Sequence, residues 1–215
     1  MIATLVEVWR SLTDPDRLIA LLSQGITGWA GYALLAAIVF AETGLLFGLF
    51  LPGDSLLFTV GVVAGAGQLD IVRICAMLVV ASIAGDQSGY FLGYRTGPRI
   101  FSRPDSRFFK QQYITETQHF YDKHGGKTLM YAKFVPIVRT FAPFMAGVGR
   151  MPYARFVSFN VFGGLGWVLS MTLAGYFLGG VPIIRRHFEK VVIGIVVVSV
   201  LPVIIHYLNS RRRAS

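Results

Sequence analysis

Charge is scarce in this chain, and acid scarcer still: 14% of 215 residues are charged, with 11 Asp and Glu against 20 Lys and Arg. Soluble domains carry about one quarter charged residues, so a conventional water-facing globule is excluded. Cysteine is nearly absent. The single Cys75 lies inside an apolar run, which rules out an internal disulfide and a cysteine metal cluster and makes it core filling. There is no His-Glu-x-x-His and no Gly-x-Ser-x-Gly, so the usual zinc-protease and serine-hydrolase signatures are missing. His119 and His124 flank Asp122, but their five-residue spacing puts them on different helix faces. The expectation is a protein that is not an enzyme and holds no metal and no cofactor. A cleavable signal is not expected either, because Glu7, Arg10, Asp14, Asp16 and Arg17 interrupt the first 28 residues. Leu5, Val6, Val8, Trp9 and Leu12 share one helical face, as in interfacial helices lying on a bilayer.

What is abundant is apolar sequence. Hydrophobic residues make up 54% of the chain, and its mean hydropathy is +0.59. Residues 71–94 carry only Arg73 and Asp86, and residues 156–180 and 191–208 carry no charge. Each is close to the roughly 20 apolar residues that a helix needs to cross the hydrocarbon. These features predict an all-α, multi-pass membrane protein forming a single membrane domain over residues 1–215. The net charge of +9 fits the basic flanks of membrane spans better than nucleic-acid binding, which is not expected.

Two further apolar regions are broken. Residues 29–66 are interrupted at Leu51-Pro52-Gly53-Asp54, and residues 128–150 contain Lys133, Pro136, Arg139 and Pro143. Proline removes a backbone donor, and broken helices at membrane depth are tolerated only where protein or water covers them. Both regions are expected to be re-entrant hairpins, with turns at Pro52, Gly53 and Pro136. The chain also echoes itself. Phe50-Leu51-Pro52 returns as Phe134-Val135-Pro136, and Gly89–Gly93 returns as Gly175–Gly179, at offsets of 84 and 86. One crossing between the copies would invert them, which is a transporter architecture. A cytoplasmic linker over residues 95–127 places twelve basic residues inside and six outside.

Glu42 and Asp54 are the only acids between Asp16 and Asp70. A carboxylate at membrane depth costs about 3 kcal/mol, so both are candidates for proton coupling. For Asp54 the alternative is a cap on the helix that follows it. Lys133 and Arg139 either snorkel to the interface or face a polar cavity, where the planar fork of arginine suits phosphate. Asp86, the only acid in its span, is a secondary candidate that could serve simply as an ion-pair partner.

Glu42-Thr43-Gly44, Phe50–Ser55, Phe120–Lys127 and Phe134–Gly147 resemble the conserved blocks of the DedA family of bacterial inner-membrane proteins. That family is related to the VTT-domain (SNARE-associated) lipid scramblases. The resemblance covers nearly the whole chain. It implies flipping of undecaprenyl phosphate or another phospholipid, linked to the proton gradient, with lipid phosphate, bilayer lipids and protons as partners. It also implies required acids at Glu42 and Asp54 and required cations at Lys133 and Arg139. Lys133 stands where the family has arginine, so Lys133→Arg is expected to be tolerated or beneficial. A small-ion or proton antiporter and a membrane-assembly scaffold remain open, as does a homo-oligomeric state.

Overall fold

The computed structural model describes residues 29–45, 53–67, 69–101 and 126–178, and among them there is no strand. The expected interfacial helices, the third span at 191–208, the linker residues 102–125 with His119, Asp122 and His124, and Pro52 lie outside the described residues. The helices described are α1 (Trp29–Gly44), α2 (Gly53–Gly65), α3 (Ile71–Phe101), α4 (Lys127–Ala132), α5 (Pro136–Val148) and α6 (Tyr153–Leu178).

Among the described residues two helices are long and apolar enough to cross a membrane: Ile71–Gly97, with 27 residues, and Tyr153–Leu178, with 26. At 1.5 Å per residue each reaches about 40 Å, against roughly 30 Å of hydrocarbon. At 16 and 13 residues, α1 and α2 are too short to span it alone. The start of α3 is fixed by Asp70, whose Oδ1 accepts the backbone N–H groups of Val72 and Arg73, both at 3.0 Å. The helix runs on to Phe101, past the end expected at Tyr94. Large apolar side chains remain outward-facing, among them Val72 and Phe162 on α3 and α6. Such a surface matches lipid.

Contacts group the chain into two compact units. Of the described residues, the first unit holds 29–37, 53–67, 69–79 and 168–178. Here α2 is buried from Gly53 to Ala64. It lies so close to α6 that a Cβ on Gly61 would overlap Thr172 O, and one on Gly175 would overlap Phe58 O. Tyr32 Oη accepts the Asp70 N–H at 3.1 Å.

The second unit holds 38–45, 80–101 and 126–167. Its α5 meets α3 in the same way: a Cβ on Gly147 would overlap Tyr90 O, and one on Gly93 would overlap Phe144 O. In both units a Phe-x-x-Gly step on a short helix (Phe58–Gly61, Phe144–Gly147) faces a Gly-Tyr step on a long one (Gly175-Tyr176, Gly93-Tyr94). The contacts therefore align Gly93 with Gly175. The sequence echo aligned Gly89 with Gly175, one helical turn away. Tyr90 anchors this unit, stacking on Phe156 at 4.4 Å and donating to Met151 O at 2.6 Å.

The break between α4 and α5 falls earlier than expected. Lys133, Phe134 and Val135 form the turn, their N–H groups bonding back to Met130, Tyr131 and Ala132 O at 3.1–3.3 Å. Pro136 is the first residue of α5, and Arg139 lies inside that helix. The reason is steric: proline disfavours helical geometry in the residue before it, and Val135 is extended at φ −117°. Gly53 likewise opens α2. At the far end of α5, Arg150 takes the left-handed conformation at φ 50°. The N–H groups of Arg150 and Met151 return to Gly147 O and Ala146 O, closing the helix.

Candidate functional site

Within the second unit four charges meet. Glu42 sits near the end of α1, Asp86 midway along α3, Lys133 in the α4–α5 turn and Arg139 in the first part of α5. They are 1%, 0%, 3% and 6% exposed. Small residues bring the helices close enough. A Cβ on Gly85 would overlap Thr43 Oγ1, so α1 and α3 approach there, one residue from Glu42 on one helix and one from Asp86 on the other. The turn ahead of Pro136 then carries Lys133 and Arg139 to the same place.

Two ion pairs form among them. Arg139 Nη2 donates to Glu42 Oε1. Lys133 Nζ pairs with Asp86 Oδ2 and also donates to Ser82 Oγ at 3.3 Å. Asp86 Oδ1 has no hydrogen-bond partner among the described residues. Both cations lie over the ring of the fully buried Trp167, Arg139 Cζ at 4.6 Å and Lys133 Nζ at 5.6 Å from its centroid. Arg139 is also within electrostatic reach of Asp86.

The result is a dry quartet of zero net charge resting on an indole face. Burying ions is costly, and a close partner for each makes the arrangement tolerable. The indole adds attraction that no proton can remove, worth about 2 kcal/mol when desolvated. Chemically, an anion entering the quartet would compete with the carboxylates for the two cations.

Of the residues singled out from sequence, Glu42, Asp86, Lys133 and Arg139 come together. Asp54 lies in the first turn of α2, buried, in the other compact unit. Trp167 and Ser82 were not foreseen. Ser82 precedes Asp86 by four residues and so shares its helix face, a signal present in the sequence. Trp167 carried a weaker one, as the only tryptophan in a charge-free span.

The VTT domain family matches residues 51–177, more than half of the chain, including Asp86, Lys133, Arg139 and Trp167. The protein DedA of Escherichia coli K12 is 46% identical over 186 residues, covering 86% of this chain and 85% of its own. The chain belongs to the DedA family. An uncharacterized membrane protein of Mycobacterium leprae is 45% identical over 194 residues, covering 89% of this chain and 87% of its own. The inner membrane protein YqjA of Escherichia coli K12 is 35% identical over 159 residues, 74% and 72% of the two chains. No solved structure matches. This DedA-family chain is accordingly a membrane protein.

Proposed function

We propose that the chain is a proton-linked flippase of undecaprenyl phosphate or a related lipid phosphate, a multi-pass protein of the bacterial inner membrane and not an enzyme. The observation that carries this reading is the quartet: two buried cations, each held by its own carboxylate, in a membrane protein. Arg139 offers a planar fork that suits phosphate oxygens, and Lys133 a compact point charge beside it. A headgroup arriving here competes with Glu42 and Asp86 for them. A displaced carboxylate is an uncompensated buried charge unless it takes up a proton, so proton and lipid binding support each other. Asp54, required by the family resemblance, is a further proton-carrying candidate.

The matching crossings of α2 on α6 and of α5 on α3 support an inverted repeat, and the helix–turn–helix of α4 and α5 supports a re-entrant hairpin. The polyprenyl tail stays in lipid while the headgroup passes the hairpins. The experiment is transport of undecaprenyl phosphate, phospholipid and small ions in proteoliposomes, with and without a pH gradient. Gradient-dependent movement of the prenyl phosphate supports the reading. Movement of small ions alone would replace it with an antiporter.

One observation favours a second reading. The quartet's complete pairing is also what an assembly scaffold needs, where the charges only hold helices together. Replacing Glu42 and Arg139 together separates the two.

A further inference from the structure

Resting on the reading just given, the geometry points to Asp86 as the second proton-accepting acid of the site, so that one phosphate dianion is accompanied by two protons, one on Glu42 and one on Asp86. Charge balance carries the step. The quartet is neutral, with Glu42 on Arg139 and Asp86 on Lys133. A phosphate monoester brings a charge of about −1.5 to −2 near neutral pH. Its oxygens would form ion pairs with the guanidinium and the ammonium, and both carboxylates would lose their counter-ions in a space almost closed to water. Two protons, one added to an oxygen of each carboxylate, restore neutrality. No bond to phosphorus forms or breaks.

Asp86 is suited to this in ways that a purely structural acid need not be. It is fully buried, and its Oδ1 has no hydrogen-bond partner among the described residues, where a buried carboxylate oxygen normally has one. The charged groups it faces are Lys133 from the α4–α5 turn and Arg139 from α5, with Glu42 of α1 behind the latter; Ser82 of its own helix shares Lys133 with it. Both cations are thus the ones a phosphate would occupy. Trp167 keeps them in place meanwhile, since its ring is uncharged at every pH. The family resemblance had named Asp54 as the second acid. In this unit it is Asp86 that holds Lys133.

The test is proton uptake on binding of farnesyl phosphate to the full chain in weakly buffered detergent, followed with a pH dye near pH 8. There the ligand is already a dianion and contributes no proton of its own. In parallel, affinity is measured against pH, where the slope counts linked protons. The wild type should take up about two protons per ligand, and Glu42→Gln and Asp86→Asn about one each. Asp86→Glu should restore the second, which a purely structural aspartate would not predict. The wild-type count needs no variant, so it decides even if Asp86→Asn folds poorly. A wild-type count of one or none overturns the proposal. So does an unchanged count in Asp86→Asn with a reduced one in Asp54→Asn. If the wild type binds no farnesyl phosphate, the flippase reading itself fails, and this inference with it.

Discussion

Replacing both members of the Glu42–Arg139 pair separates what the pair does for folding from what it does for function. Arg139→Gln alone leaves Glu42, 1% exposed, with its charge and without the partner that offsets it. Breaking a buried pair from one side costs about 3–5 kcal/mol, against a total stability of typically 5–15 kcal/mol. Glu42→Gln alone strands Arg139 less severely, because Trp167 still lies 4.6 Å from its Cζ. The double variant Glu42→Gln/Arg139→Gln removes both charges and leaves two amides able to bond to each other. It should return to within about 2 kcal/mol of wild type, since uncharged replacements of buried pairs are often neutral. The assay is unfolding in detergent for wild type, both singles and the double, with lipid transport measured on the same preparations. Costs that simply add across the four proteins would refute the pairing. A double variant that is stable and still transports would refute the headgroup role and leave these two charges a purely structural one.

Arg139→Lys keeps the charge for Glu42 but loses the fork, and should lower lipid-phosphate transport about tenfold or more while the protein stays folded, as read by transport rate and elution profile. Lys133→Arg, expected from the family to be harmless, should instead destabilise by about 1–3 kcal/mol. Its side chain is buried, so the larger guanidinium has to be fitted into a closed space and melting temperature should fall. Gly61→Ala and Gly147→Ala should each destabilise strongly and to a similar degree, because each added methyl meets backbone of the facing helix. Trp167→Leu should weaken both cation contacts and raise the lipid concentration needed for half-maximal binding, with Trp167→Phe between it and wild type.

Much of this site was visible in the sequence because membrane sequence makes charge conspicuous. Glu42, Asp86, Lys133 and Arg139 stood out as ions in apolar runs, where each is expensive. Their pairing was not visible. Glu42 and Arg139 are 97 residues apart, and which acid meets which cation depends on the close approach of α1 to α3 at Gly85, a contact with no local signature. The break ahead of Pro136 was legible, but its placement at Lys133–Val135 required the rule that proline constrains its predecessor. The sequence echo aligned Gly89 with Gly175, four residues from the Gly93–Gly175 correspondence of the helix contacts. Gly-Tyr-Phe-Leu-Gly is nearly periodic in itself, and only the packing against Phe144 and Phe58 distinguishes Gly93 from Gly89. Trp167 was passed over because an aromatic in a span usually packs against lipid or core.

The central claim is that carboxylates release the two cations to phosphate and take protons in exchange. Infrared difference spectroscopy on the protein in bilayers, recorded on adding prenyl phosphate at neutral pH, tests it most directly. Binding should shrink the carboxylate bands and raise the carbonyl stretch of protonated carboxylic acid, with part of that signal missing in Glu42→Gln and part in Asp86→Asn. Bound prenyl phosphate with carboxylate bands unchanged would contradict it.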